Sequence, residues 1–396
     1  MFLKVIFRTS GIAIRKQDFG YINLKFMKKI FPVFLTILLF FGAVSAQNSR
    51  SWDPARTWVY FVGLLEWQNS ESFASFPQLN RRDEVLLNVL RAQGVPEKQI
   101  IYLKDSEAPI AKVKETFPKF LRQAKAGDTV IVYFCGHGYK SEDNKKTYLV
   151  TYDASETKMG WDVEALTDEL EKNFKGESAI LMVDNCFSGA LTEAVKARSS
   201  SSNISYAVMT SSPSNSSSTG NWTFTESLIY AFRGDSFIDD DADGKVTFAE
   251  LEANSADDML FAEEQLTQFV YTGNFDKQGT VAISPINSAP RIGERVEAYS
   301  IDGFYKGFIR DAKNGKFQIR YYGYEESDDE WVTAKMIRRV APKQFRVGTK
   351  VKVESDGKWY RAKILAVKGG AHYVAYDDYG SEWNEWVSSK RVREIH

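Results

Sequence analysis

Thr129-Val130-Ile131-Val132-Tyr133-Phe134-Cys135 runs without a charged residue straight into Gly136-His137-Gly138. A short run rich in β-branched and aromatic residues that stops abruptly at glycine reads as a strand buried on both faces of a parallel sheet. A second run of the same kind, Ala179-Ile180-Leu181-Met182-Val183, opens into Asp184-Asn185-Cys186-Phe187-Ser188-Gly189. The C-terminal edge of such a sheet is where open α/β folds place their chemistry. A thiol needs a base to become a thiolate near neutral pH, and imidazole is the usual one. The 49 residues from His137 to Cys186 leave room for one crossover between neighbouring strands. Gly138 has an unobstructed N–H, which together with the N–H of Cys186 could form an oxyanion hole.

Outward from these two loops, strand and helix patterns alternate. Thr57 to Leu65 reads as a first buried strand and Gln99 to Leu103 as a second. Between them, Val85, Leu86, Val89 and Leu90 mark one face of a helix over Arg82 to Gln93. The stretch around Ala111 to Ala126 is helix-like, with Pro118 expected to limit its start. A helix over Val163 to Phe174, a fifth strand over Ser205 to Thr210 and a helix over Phe224 to Phe232 follow. This alternation predicts an α/β domain over residues 47–285, a mainly parallel sheet with helices on both faces.

The two loops, Tyr133 to Gly138 and Asp184 to Gly189, resemble the signature loops of the caspase-like cysteine peptidases, and among them the metacaspase branch. Tyr148 to Ala154 also resembles that family's pattern, and the resemblance covers about residues 55–285. It implies that His137 is the general base and Cys186 the nucleophile of peptide-bond hydrolysis through an acyl-enzyme. It implies further that Asp184 lines the specificity pocket and pairs with Arg or Lys before the scissile bond. A carboxylate beside a nucleophilic thiol raises the thiol pKa, so Asp184 needs a reason other than activation. Asp83, in Asn80-Arg81-Arg82-Asp83, falls near a second pocket aspartate of the family; the alternative reading is a helix N-cap. Ser211 and Ser212 are expected as a further pocket wall. Family members are often cut between their two halves. Arg198, before the serine run Ser199 to Ser202, is the candidate self-cleavage site. Asn or Asp specificity is the alternative preference for such a peptidase, disfavoured by the like charge of Asp184.

Asp239 to Glu250 fits the twelve-position EF-hand loop. Asp239, Asp241 and Asp243 stand at positions 1, 3 and 5, Gly244 at 6, the Lys245 carbonyl at 7, Thr247 at 9 and Glu250 at 12. The expected cofactor is Ca²⁺, structural or regulatory; the chemistry itself calls for none. Arg233-Gly234-Asp235 interrupts the incoming helix of an ideal EF-hand.

From Ala289-Pro290 the chain turns to aromatic and charged alternation and repeats itself at an offset of about 55 residues. Arg291 to Val296 returns as Arg346 to Val351, and Asp329-Glu330-Trp331-Val332 as Asn384-Glu385-Trp386-Val387. Short strands separated by turn residues predict two small all-β barrels, 291–342 and 345–396. Both resemble Tudor-knot or chromo-barrel modules of the SH3-like group, whose aromatics can cage a methylated Lys or Arg. Candidate cage residues are Tyr305, Tyr322, Tyr324 and Trp331, then Tyr360, Tyr376, Tyr379 and Trp386. Each could equally be barrel core. The barrels' expected ligand is a peptide, a protein substrate or the catalytic domain itself. The alternative to a peptidase is a binding protein in which these barrels are the working part.

Met27-Lys28-Lys29, an apolar stretch from Ile30 to Phe41 and Val44-Ser45-Ala46 read as a signal peptide over 27–46, cleaved after Ala46. It is short for a transmembrane helix, so no membrane anchor is expected after cleavage. Residues 1–26 then read as a mis-assigned extension, and the protein as exported, periplasmic or secreted. The whole chain has formal net charge −1. Without the seven basic residues and one aspartate of 1–46 it carries 44 basic and 51 acidic residues, formally −7, which argues against nucleic acid as a partner. Two cysteines exclude a disulfide framework. Cys135 reads as a small buried residue or as a redox partner of Cys186.

Overall fold

The computed structural model describes residues 52–395 apart from 156, 288, 290, 340–343, 356 and 369. The signal peptide and the extension before it lie outside the described residues. β1 (Thr57–Gly63), α1 (Arg82–Ala92), β2 (Ile100–Lys104), α2 (Ile110–Leu121) and β3 (Thr129–Cys135) come first. β4 (Gly138–Lys140), β5 (Thr147–Leu149), β6 (Trp161–Asp162), α3 (Val163–Asn173) and β7 (Ser178–Asp184) follow. Then come α4 (Ala190–Arg198), β8 (Ser205–Thr210), α5 (Thr223–Arg233) and β9 (Lys245–Thr247). α6 (Phe248–Glu263), β10 (Gln268–Tyr271) and β11 (Thr280–Ile283) complete the α/β part.

The main sheet runs in the order β10-β8-β7-β3-β1-β2. All its pairs are parallel except β10 with β8. Both faces of β3 and β7 are buried, as their unbroken apolar runs require. One apolar cluster gathers α2, α3 and α4 on one face; the other gathers α1, α5 and α6. The chain leaves β1 towards β2 on one side and reaches β3 on the other, so the sheet has its switch point beside β3. β3 pairs with β7 in a register that sets Cys135 opposite Asp184. His137 and Cys186 therefore each stand two residues past matched strand ends. That register is why two residues distant in sequence share one edge.

Three features depart from the sequence reading. Pro118 lies within α2 rather than at its start, in the last turn, while Pro109 precedes the first residue of the helix. The histidine loop continues into a small antiparallel sheet, β4-β5-β6, that the short polar sequence did not signal. Strand β10 closes the main sheet antiparallel at its edge.

The C-terminal part is two five-stranded antiparallel sheets curled as half-barrels. The first has β12 (Arg295–Ser300), β13 (Gly303–Lys313), β14 (Lys316–Tyr321), β15 (Glu330–Thr333) and β16 (Ile337–Arg338). The second has β17 (Lys350–Ser355), β18 (Lys358–Lys368), β19 (Ala371–Tyr376), β20 (Glu385–Ser388) and β21 (Val392–Glu394). Their strand orders are the same. The long second strand is bulged at the same place in each, between Ile309 and Asp311 and between Ile364 and Ala366. Each has its own small apolar core.

The first barrel is fastened to the α/β part. Arg320 is almost fully buried, donating to the Tyr230 hydroxyl at 3.0 Å and to Glu226 at 3.3 Å. The Tyr322 hydroxyl donates to Asp258 at 2.5 Å, and Arg295 pairs with the same carboxylate at 3.0 Å. Phe308 packs between Tyr230 and Phe237, at 5.9 and 4.6 Å between ring centroids.

Candidate active site

His137 and Cys186 line one cleft of about 420 Å³, together with Asp184, Arg82, Glu226 and Trp222. The imidazole is held between aromatic rings, with Trp67 at 4.4 Å and Phe76 at 4.7 Å between centroids. Its Nε2 lies 2.8 Å from the carbonyl oxygen of Ala74. A carbonyl can only accept, so Nε2 carries the proton and Nδ1 keeps its lone pair. Burial pushes the imidazole pKa down, against the pull of that carbonyl. The ring is thus neutral near pH 7 and poised as a base. No motif points to Ala74; the only trace in the sequence is the aromatic cluster Trp67, Phe73 and Phe76.

Gly138 stands where nothing larger fits. A Cβ there would lie 1.9 Å from the Cys186 carbonyl oxygen. Val150 donates to the His137 carbonyl at 3.0 Å, which makes Gly138 and Leu149 a non-hydrogen-bonded pair of the β4–β5 ladder. The ladder therefore does not use the Gly138 N–H.

Phe187, the residue after Cys186, has φ +60°, a left-handed backbone that a bulky side chain rarely adopts. The turn is braced by the Phe187 N–H, which donates to the Ser216 carbonyl at 2.9 Å. Burial pushes the Cys186 thiol pKa up, while the Ser218 N–H, 3.2 Å from Sγ, pulls it down. The segment carrying Ser218 is tied to Gln265. The Gln265 side chain donates to Ser218 Oγ at 3.1 Å and accepts the Thr219 N–H at 3.1 Å. Cys135 is fully buried, its thiol pushed well up by burial, and both cysteines are free thiols.

Asp184 is buried at the floor of the cleft. Thr225 donates to its Oδ2 at 2.7 Å. Among the described residues it has no ion-pair partner, and burial raises its pKa to about 6. Asp83 does not share this place. Its carboxylate is fully buried and taken by Arg81, at 2.8 Å, and by the Tyr102 hydroxyl, at 2.7 Å. Arg81 also pairs with Asp105 and donates to the Gly63 carbonyl at 2.9 Å. Asp83 is therefore one part of a buried charge network under β1, and neither an N-cap nor a pocket wall; α1 has no side-chain cap. Ser211 and Ser212 are also fully buried. Ser212 donates to the Asn185 carbonyl at 3.0 Å and bonds Ser188 Oγ at 3.1 Å, so it braces the nucleophile loop from behind. Ser211 Oγ bonds Ser218 Oγ at 3.1 Å, and its hydroxyl supports the Asp184 carboxylate.

Arg198 ends α4 with its guanidinium on Glu164, at 2.6 Å, and Asp168, at 2.7 Å. Its carbonyl accepts from Ser201 and Ser202. The serine run after it is thus a turn closed on the helix end.

In the acidic loop, Asp239, Asp241 and Asp243 bring carboxylate oxygens within 4.8 Å of one another. Asp239 accepts the N–H of Asp243 and of Gly244, at 3.1 and 3.0 Å. Glu250 accepts the Asp240 N–H at 2.9 Å and the Thr247 N–H at 2.8 Å. Thr247 and Glu250 form a capping box on α6. The three aspartates fit a hard cation, with the Lys245 carbonyl available from the turn, whereas Thr247 and Glu250 are engaged with each other.

In the first barrel three rings face one another almost at right angles. Tyr305 lies 5.7 Å from Tyr324 and 6.3 Å from Tyr321, and Tyr321 lies 6.3 Å from Tyr324. The second barrel repeats this with Tyr360, Tyr376 and Tyr379 at 6.0–6.2 Å. Tyr322 is not a cage wall, because its half-buried ring is turned to α6 by its bond to Asp258. Among the described residues, neither Trp331 nor Trp386 makes a ring contact with these triads; Trp386 packs on Tyr373 instead, at 5.4 Å.

These features define a domain of the cysteine-peptidase type with two Tudor-like barrels behind it. Comparison with known families agrees: residues 86–272 match the caspase domain, and residues 293–342 and 348–396 each match the Agenet domain. The chain carries a caspase domain followed by two Agenet repeats. A search of the curated proteins found no match. Among solved structures, protein GSU0716 from Geobacter sulfurreducens is 14% identical, covering 58% of this chain and all of its own, with TM-score 0.41. The SHH1 SAWADEE domain, solved in complex with an H3K9me3 peptide, is 17% identical, covering 26% of this chain and 97% of its own, with TM-score 0.12. Among the described residues no helix is long and apolar enough to cross a membrane.

Proposed function

We propose that this chain is an endopeptidase that cleaves after Arg or Lys, with Cys186 as nucleophile and His137 as base. The observation that carries the specificity is Asp184, a buried carboxylate facing the cleft without an ion-pair partner among the described residues. A buried charge calls for a partner, and a substrate guanidinium or ammonium supplies it.

His137 Nδ1 takes the proton from Cys186 Sγ as the thiolate attacks the scissile carbonyl carbon. The tetrahedral oxygen is held by the N–H groups of Gly138 and Cys186. Collapse breaks the C–N bond, and His137 returns its proton to the leaving amine. A water, deprotonated by His137, then hydrolyses the thioester and releases the acid.

The acidic loop supports Ca²⁺ as a ligand, which Asp239, Asp241 and Asp243 would hold; its two positive charges would offset most of the repulsion among the three carboxylates before α6. The cage triads support a peptide ligand with a cationic side chain. Residues 27–46 support export. Self-cleavage after Arg198 requires the turn at the end of α4 to open first, because a protease needs an extended backbone.

Fluorogenic peptides ending in Arg, Lys, Asn or Asp, assayed with and without Ca²⁺ beside Cys186→Ala, test the reading. Turnover of Arg or Lys peptides that Cys186→Ala abolishes is the expected result; Ca²⁺ should raise the melting temperature of the parent and not of Asp239→Ala. Turnover of Asn or Asp peptides alone would overturn the role given to Asp184. Absence of all turnover, even under reducing conditions, would move the function to the barrels.

A further inference from the structure

The loop between β14 and β15 belongs to two sites at once. Gly323 and Glu325 line the cleft that holds His137, Asp184 and Cys186. Tyr324, between them, is a wall of the first aromatic triad. Consecutive Cα atoms are about 3.8 Å apart, so the cage begins one residue from the cleft wall.

This loop is held on the peptidase part from both sides. Glu325 is paired with Arg82 at 2.9 Å, and Arg82 with Glu226 at 3.0 Å; all three line the cleft. Tyr322 and Arg320, immediately before it, are anchored to Asp258, Tyr230 and Glu226. The second repeat kept the rings and lost these anchors. Tyr305, Tyr321 and Tyr324 return at the repeat offset as Tyr360, Tyr376 and Tyr379. Arg320, Tyr322 and Glu325 return as Ala375, Asp377 and Gly380. The pairing with Arg82 at the cleft wall and the anchors on α5 and α6 are therefore properties of the first barrel.

The half-buried Tyr305 ring and the exposed Tyr324 ring, almost at right angles above the buried Tyr321, present faces that attract a cation through their quadrupoles. Asp302 adds a carboxylate at the rim, accepting the Tyr305 hydroxyl at 2.7 Å. A chain lying in the cleft reaches this cage within a few residues.

We propose that the first barrel is a substrate-reading subsite of the peptidase. One peptide places its scissile Arg or Lys against Asp184 and a second Lys or Arg side chain, methylated or not, against the rings of Tyr305 and Tyr324 where they stand over the buried Tyr321. This rests on the peptidase reading above and adds the selection of substrates with two spaced cationic residues. Glu325 and Arg82 form the wall along which the peptide runs from one point to the other.

The test uses the full chain and peptides with one scissile Arg. A second position, about two to eight residues away on either side, carries Lys or its neutral isostere norleucine. The expected result is a KM about three- to ten-fold lower for Lys than for norleucine within one window of spacings. Tyr324→Leu and Tyr305→Leu bring that ratio to about one, and Tyr324→Phe, which keeps the ring, preserves it. Equal KM values for Lys and norleucine at every spacing in the parent, beside normal cleavage of a short Arg amide, overturn the subsite alone. A ratio that survives both Leu variants overturns it too, because the cation then binds elsewhere. No cleavage of any substrate, the short amide included, fails the peptidase reading and the subsite with it.

Discussion

Burial pushes the Asp184 carboxyl up to about 6, against about 3.9 for an aspartate in an unfolded chain. An acid whose pKa rises on folding binds its proton more tightly in the native state. It favours folding at low pH, and that contribution is lost as pH rises through about 6. Above that value the native protein holds a buried carboxylate without a cation. Asp184→Asn should therefore melt higher than the parent at pH 8, with the gap closing towards pH 4–5. In kinetics the sign reverses. The parent's KM for an Arg peptide should fall as pH rises through about 6, and that of Asp184→Asn should be higher and flat. Melting curves and initial rates across pH 4.5–8.5 check both; equal melting at both ends would show that the carboxylate is already compensated. The same scale shows what sequence can carry. His137 and Cys186 were legible because each sits in a short loop after an unmistakable apolar strand, and Asp184 because it ends the second of those strands. Asp83 was not, because its neighbour Arg81 takes its charge, a pairing fixed by the burial of both. The ring triads were half legible: the repeat offset that links Tyr305 to Tyr360 also leads from Tyr376 to Tyr321, rather than to Tyr322.

At the scale of elements, the segment from Ser211 to Gly220 lies against the Cys186 thiol. It enters from β8, passes the Phe187 N–H and the Cys186 sulfur, and leads into α5. Polar bonds hold it: Ser212 on the Asn185 carbonyl, Ser214 on Glu193, and Ser218 and Thr219 on Gln265, just past α6. Loss of one such tether costs about 1 kcal/mol, roughly a five-fold change in an opening equilibrium. Gln265→Ala should accordingly raise the rate of Cys186 alkylation by iodoacetamide about two- to ten-fold, while Cys135 stays unreactive in its buried site. An unchanged rate would mean that the segment does not gate the thiol. Five strands of the main sheet were readable from their apolar runs and the acidic loop from its spacing, whereas β10, short and at the edge, was not. The small sheet β4-β5-β6 was not, because its strands have two or three residues and no period to read. Pro118 misled because proline is expected in the first turn of a helix, whereas here it stands in the last turn, without an N–H for the Lys114 carbonyl.

Across the whole molecule the barrels are unequal. The first is joined to the caspase domain by Arg320, Arg295, Tyr322 and Phe308, a mixture of buried charge pairs and aromatic packing. The second shares a cavity with the Cys186 loop, and the Asn215 amide donates to its Glu385 at 3.2 Å. Glu385 also accepts from the Tyr376 hydroxyl at 2.5 Å, so the second cage too is linked to the segment over Cys186. None of this was legible beforehand. A repeat pattern gives two barrels, and nothing in it says that Arg320 is buried against α5. The account of the whole molecule stands on a thiol made nucleophilic by His137 and addressed through Asp184. Covalent labelling tests it most directly: the full chain is treated with a peptidyl-arginyl chloromethyl ketone, or its aspartyl counterpart, and the adduct is located by mass spectrometry. The account predicts one adduct, on Cys186, formed at least about ten-fold faster with the arginyl reagent and lost in His137→Ala. An adduct on Cys135, faster labelling by the aspartyl reagent, or no adduct at all would contradict it.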